Sequence, residues 1–427
     1  MSRQREKRAE EMDKNNDNKK NDQNAGNPQN EGMAQENGQE TESNETPHEA
    51  EDPGKKEKGG KHQKKSALRK PLIIIGIIVG VLAVLVLAAY LVIHSYLSKI
   101  NYDDGSKPPV SGVPLEPEEE DEGDEPDSPQ HEIDAAGQKI DENLKKEQEA
   151  RRNTKDLTNI LLIGSDTRYV GQPGRSDTMM LLTINREDET VSLTSLMRDM
   201  YVYVPDYGNT RINNAFARGG AQLLIDTIEA NFRIEIDYYA AIDFYSFVDA
   251  VDAIGGVTVD VSYDDYYGVN LAIEKYNKTL GLSYSDGKLT EYGEINLTGK
   301  QALGYARNRH FPRGDFDRTE HQRVLVSAIF EKAKQADLVQ LDALLNAILP
   351  GITTDMPETQ ILSWMVLAPT ILQYDFETYR IPIEGSYQGV TIGGASMLSL
   401  DFDANIAELH RIVYGEDSED GSLADAG

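Results

Sequence analysis

Residues 72–93 read LIIIGIIVGVLAVLVLAAYLVI and carry no charge. Coiled as a helix at about 1.5 Å per residue, a run of that length spans the roughly 30 Å hydrocarbon core of a bilayer. Its two flanks differ in sign. Lys55, Lys56, Lys58, Lys61, Lys64, Lys65, Arg69 and Lys70 precede it, with only Glu57 among them, while Glu118, Glu119, Glu120, Asp121 and Glu122 lie beyond it. The basic flank stays in the cytosol. This predicts a single-pass protein of the cell membrane, N-terminus cytosolic and bulk outside. A cleaved signal peptide is the competing reading, but the run is too long, starts too late and has no small-x-small site behind it. The lysines can also meet anionic lipid head groups, although orienting the helix accounts for them.

Composition divides the rest. Residues 1–70 are polar and charged with almost nothing apolar, and are expected as a disordered cytosolic tail. The transmembrane helix takes residues 71–96, with Tyr90 and Tyr96 at the outer interface. Residues 97–155 carry Pro108, Pro109, Pro114, Pro117, Pro126 and Pro129 among carboxylates, which predicts an acidic extracellular stalk ending in a short polar helix over 136–151. Residues 156–413 have globular texture, and 414–427 form an acidic tail. A net charge of −30 argues against nucleic acid as a partner. The absence of cysteine excludes a disulfide scaffold, a thiol nucleophile and a thiolate metal site.

Within the globular part, short apolar runs at 159–163, 178–184, 190–196, 238–243 and 257–261 read as strands. Helical spacing covers 221–232, 245–254, 298–307 and 317–337. Strands alternating with helices predict an α/β fold: a single layered α-β-α domain with a mixed central sheet, because 186–189 makes a tight antiparallel turn. Gly255-Gly256 stops a helix and has no phosphate-loop pattern around it. Trp364 lies in an apolar helix and reads as core. Charged residues recur at the ends of these elements, where α/β folds place ligands. Asp166 and Arg168 follow the first strand, Arg175 and Asp177 precede the second, and Arg198-Asp199 follow the third. Arg211 opens a helix, Arg307 and Arg309 end one, and Asp315, Asp317 and Arg318 come soon after. Arginines match phosphate oxygens and paired aspartates suit a hard cation; structural ion pairs are the other reading of the same charges.

The stretches NILLIGSDTR (159–168), GRSDTMMLLTIN (174–185), VSLTSLMRDMYV (191–202), RINNAFARGG (211–220), IDFYSFVDAVDAIGGVTVDV (242–261) and LTGKQALGYARNRH (297–310) occur in this order. In them the chain resembles the LytR-CpsA-Psr family of cell-wall glycopolymer ligases. The resemblance implies transfer of a phospho-linked glycopolymer, such as teichoic acid or capsule, from an undecaprenyl-pyrophosphate carrier to the 6-hydroxyl of N-acetylmuramic acid in peptidoglycan, with undecaprenyl phosphate released. It implies magnesium, or manganese in its place, on Asp166 and Asp177. It also implies pyrophosphate binding by Arg168, Arg175, Arg198, Arg211, Arg307, Arg309, Arg318 and Gln322, and a membrane lipid tail held in an apolar tunnel. Asp199 is the first choice for the base that takes the acceptor proton and Asp315 the second, with Arg198 beside them. Asp317-Arg318, His321-Gln322 and Met197 depart from the common family pattern. His310 and His321 read as packing or surface residues before they read as metal ligands. Two other functions remain at this point: a polyprenyl-pyrophosphate pyrophosphatase, and a non-catalytic envelope regulator that binds lipid-linked precursors.

Overall fold

The computed structural model describes residues 84, 87–88, 90–103, 126–146, 153–165, 176–310 and 314–415. Their elements begin β1 (Asn101–Tyr102), α1 (Gln130–Leu144), β2 (Leu157–Ser165), β3 (Ser176–Asn185), β4 (Thr190–Leu196), β5 (Met200–Val204), β6 (Gly208–Arg211), α2 (Asn213–Phe232), β7 (Tyr238–Asp243) and α3 (Phe244–Ala253). There follow β8 (Val257–Val261), α4 (Tyr263–Thr279), β9 (Gly293–Leu297), α5 (Gly299–Ala306), α6 (Asp315–Gln335), α7 (Leu338–Ile348) and β10 (Ile352–Thr354). The chain closes with α8 (Glu358–Ile371), β11 (Asp375–Ile381), β12 (Tyr387–Ile392), β13 (Ala395–Leu400) and α9 (Phe402–Tyr414).

The central sheet has seven strands in the order β1-β10-β7-β2-β3-β4-β11 and is mixed. β2, β3 and β4 run antiparallel in sequence, while β7 joins β2 and β11 joins β4 in parallel. Side chains alternate across a strand, so β2 feeds two cores. Leu161 and Ile163 pack with Met179 and Leu181 of β3 against Leu224, Ile228 and Phe232 of α2. Ile160 and Leu162 face the other way, toward Ile184, Met356, Trp364 and Ile371. A third core joins α3, α4, α5 and α6 to the β8–β9 hairpin. A second sheet, β12-β13-β5-β6, completes the fold. The expected mixed α/β domain is therefore present. Trp364 is half-buried against the sheet face rather than deep in a core.

The domain begins earlier than residue 156. The helix expected over 136–151 is α1, and its Ala136 and Ile140 are buried in the main core. Leu97 and Ile100 are buried as well, and Asn101 and Tyr102 pair with Thr353 and Thr354 as an edge strand. Asn101 Nδ2 donates to the Pro350 carbonyl at 2.8 Å, and the Tyr239 hydroxyl donates to Asp103 Oδ2 at 2.6 Å. Both ends of the expected stalk are thus clamped to the domain; residues 104–125 lie outside the described residues. Most of the expected membrane span also lies outside them, at 71–83, 85–86 and 89. Among the described residues no helix is long and apolar enough to cross a membrane.

Candidate active site

The antiparallel pairing of β3 and β4 brings the start of one beside the end of the other. Asp177 on β3 and Arg198-Asp199 just after β4 therefore share one end of the sheet. Arg198 is the centre, with its side chain 3% exposed. Its Nη1 donates to Asp177 Oδ1 at 3.1 Å, and its Nε lies 3.3 Å from Asp315 Oδ1 and 3.5 Å from Asp199 Oδ1. Arg211, at the end of β6, lies 3.5 Å from the same Asp199 oxygen. Asp315 and Arg318 open α6, one turn apart. Arg318 pairs with Asp315 and donates to the Asp177 carbonyl at 3.4 Å. Arg309 Nη2 stands 3.9 Å from Asp177 Oδ1. Four guanidinium groups thus meet three carboxylates in a largely buried cluster, an excess of positive charge suited to an anion.

These neighbours tune the acids in opposite directions. Burial alone would raise the Asp177 carboxyl, but Arg318, Arg198 and Arg309 outweigh it and hold the group below the ordinary carboxylate value. Asp199 goes the other way. Burial raises it, the nearby Asp315 adds to the rise, and Arg198, Arg318 and Arg211 only partly oppose them. The two neighbouring aspartates are thus shifted in opposite directions.

Asp199 Oδ1 and both Asp315 oxygens are buried and accept no aligned hydrogen bond among the described residues, although the guanidinium groups of Arg198, Arg211 and Arg318 stand beside them. No group of three or more His, Cys, Asp or Glu placed to hold a metal occurs among the described residues. Asp166, Arg168 and Arg175 lie outside them, so the expected Asp166–Asp177 pair is represented by Asp177 alone. Arg307 sits with its guanidinium 4.9 Å from the centre of the Phe244 ring. Gln322 donates to the Ala306 carbonyl at 3.4 Å, bracing α6 against α5.

Sequence reasoning missed the scaffold behind the arginines. Asp265 is the N3 acid of a capping box with Ser262 at the start of α4. The same carboxylate lies 2.8 Å from His321 Nε2 and accepts from Asn308 Nδ2 at 3.3 Å. It ties α4, the Arg307–Arg309 segment and α6 together, and places His321 in packing rather than on a metal. Ser-x-x-Asp was legible as a cap, but not as a junction. Gly268 completes the fit: a Cβ there would lie 1.9 Å from Asn308 Oδ1, and Asn308 is buried. Gly268→Ala should therefore lower stability by about 1–3 kcal/mol, read as a lower urea midpoint. Gly137→Ala is the control. It meets nothing within 4 Å and should stabilise α1 by roughly 0.5–1 kcal/mol.

The chain is similar to known proteins over most of this domain. Residues 129–407 match the model of the LytR_cpsA_psr family. Over 195 residues the chain is 36% identical to the polyisoprenyl-teichoic acid–peptidoglycan teichoic acid transferase TagU of Bacillus subtilis, covering 45% of this chain and 58% of that protein. It is 28% identical over 250 residues to the regulatory protein MsrR of Staphylococcus aureus, covering 58% of this chain and 71% of that one. The solved structure of TagT bound to LI-WTA superposes with a TM-score of 0.50 at 26% identity, covering 62% of this chain and 94% of that chain. The chain thus spans less than two thirds of the length of the TagU it matches.

Proposed function

The chain belongs to the LytR-CpsA-Psr family, and we propose that it transfers a phospho-linked glycopolymer from a polyprenyl-pyrophosphate carrier, undecaprenyl in the full reading, to a hydroxyl of peptidoglycan, the 6-hydroxyl of N-acetylmuramic acid. The observation that carries this reading is the cluster centred on Arg198, where four guanidinium groups surround three carboxylates. Phosphoryl transfer asks a protein for alignment and charge neutralisation rather than covalent work. Arg198, Arg211, Arg309 and Arg318 supply both, with Arg168, Arg175 and Arg307 as the remaining expected contacts. The acceptor oxygen bonds to the polymer-bearing phosphorus, the bridging P–O bond breaks, and polyprenyl phosphate leaves. Asp199 takes the proton from the incoming hydroxyl. A magnesium ion on Asp177, with Asp166 as its expected second ligand, would neutralise charge on the pyrophosphate.

The similarity to a protein named teichoic acid transferase supports the polymer class. α8 supports the prenyl site. It reads ETQILSWMVLAPTI, yet buries none of its residues fully, and Ile361, Leu362 and Met365 are only half-covered. We assign these side chains, with Leu341, Leu344 and Leu345 of α7, to the wall that holds the prenyl chain. The membrane reading agrees with this site: a lipid-linked donor lies in the bilayer, and the domain would stand on its outer face.

The test is transfer of a polyprenyl-pyrophosphate-linked saccharide onto peptidoglycan oligomers by the full chain in lipid nanodiscs, followed by release of polyprenyl phosphate. A base must be ionised to act, so the wild-type rate should fall as pH drops through a value above the ordinary carboxylate range. Asp199→Asn should be slower by roughly 10²–10⁴-fold and lose that limb. Release of polyprenyl phosphate with water as the sole acceptor would make the protein a pyrophosphatase, and binding without release would make it a precursor sensor.

A further inference from the structure

We propose that a row of exposed aromatic rings, running from the β8–β9 hairpin to Arg309, is the acceptor site and binds a strand of uncharged sugar rings. The proposal rests on the transfer reading and names the part of the surface that reading leaves blank. Tyr263, Tyr292 and Tyr267 are 68%, 60% and 54% exposed. Tyr263 meets Tyr292 edge-on at 5.6 Å between ring centres, and Tyr266 meets the same ring at 6.3 Å. Tyr263 and Tyr267 are four residues apart on α4 and so share one face of it. Tyr267 in turn lies 5.0 Å from the exposed ring of His310. The row ends one residue from Arg309, whose guanidinium reaches Asp177.

So many large rings gathered on a surface mark a binding face. Tyrosine offers an apolar ring for the C–H face of a sugar and a hydroxyl for its rim. The charge around the rings decides between ligands. Asp264 stands between Tyr263 and Tyr267 in sequence, Glu291 precedes Tyr292, and Asp260 faces Glu294 directly across the hairpin, all four being exposed. A polyanion is repelled there, which excludes nucleic acid and the phosphate-rich donor polymer alike. The donor's phosphates belong on the arginines, and a neutral glycan belongs on the rings. The row is also held in place. Asp265 and Gly268 fix α4 against Asn308, so a glycan lying on Tyr267 and His310 presents its hydroxyls to the arginine cluster.

Isothermal titration of the full chain in nanodiscs with chitohexaose, an uncharged amino-sugar hexamer, tests this. Wild type should bind. Tyr267→Ser should bind about tenfold more weakly and Tyr267→Phe within about threefold of wild type, with all three melting alike. The paired change Tyr263→Ser with Tyr292→Ser should also weaken binding, because it removes the far end of the row without touching Asp265. Absence of binding by wild type, or unchanged affinity in both serine variants, overturns the proposal. The titration contains no donor and reads no transfer. A protein that binds chitohexaose through Tyr267 but transfers nothing therefore sinks the transfer reading alone, and one that transfers while its serine variants bind normally sinks the aromatic site alone.

Discussion

Arg198→Ala should lower the free energy of unfolding by about 3–5 kcal/mol at neutral pH, a large share of what a domain of this kind possesses. The guanidinium is buried and contacts Asp177, Asp199 and Asp315 at once. Removing it leaves three carboxylates in a low-dielectric pocket with fewer counter-charges, and their mutual repulsion and lost solvation are no longer offset. The pH dependence distinguishes this cause from simple loss of packing. Asp177 is held below the ordinary carboxylate value in the folded protein, so it contributes stability above its unfolded pKa and loses it as pH falls through the folded one. Without Arg198 that contribution shrinks. Asp199, already raised by burial, should rise further, so its ionised form opposes folding most at neutral pH. Both effects vanish when the acids are protonated. Denaturant titrations of wild type and variant should therefore converge as the pH is lowered through the carboxylate range. A deficit that stays constant with pH would mean Arg198 acts as a packed side chain and that the cluster is not electrostatically coupled.

The parts of this site that sequence reasoning reached were those carried by short local patterns. Strands β2, β3, β4, β7 and β8 announce themselves through apolar runs bounded by turns, and the charged residues at their ends follow from the same boundaries. What joins them does not. β1 is two residues long and is defined by pairing with β10, some 250 positions away. α1 buries only Ala136, Ile140 and Asn143 among polar neighbours, too sparse a stripe to distinguish it from a solvated stalk. The arginines were legible as a set but not as individuals. Arg198, Arg309 and Arg318 converge on Asp177, and Arg307, two positions from Arg309, lies against the Phe244 ring. How each of two near neighbours is aimed depends on how α5 ends and what packs beneath it. That information sits in α4, through Asp265 and Gly268, a helix absent from the segments read off the sequence.

Asp177→Asn should reduce transfer on the order of 10²–10³-fold while leaving the fold largely in place. The substitution keeps the shape and one acceptor oxygen for Arg198 Nη1, now 3.1 Å from the carboxylate. Its structural cost is the change from a charged to a neutral acceptor, about 1.5–3 kcal/mol. The functional cost is larger because the site has two uses for the negative charge. One is to hold Arg198, Arg309 and Arg318 in a common arrangement, in the proposed mechanism around the phosphates. The other, in the proposed mechanism, is to bind the magnesium ion. Metal dependence separates these uses. Wild-type transfer should stop with chelator and return with magnesium, and manganese should restore part of it. Asp177→Asn should be slow at every magnesium concentration if the carboxylate is a ligand. If it serves only to order the arginines, the variant should be slow yet keep the wild-type metal response. Transfer at the wild-type rate by Asp177→Asn, together with indifference of both proteins to chelator, would remove Asp177 from the chemistry, and the arginine cluster would then have to be explained as a structural ion-pair network.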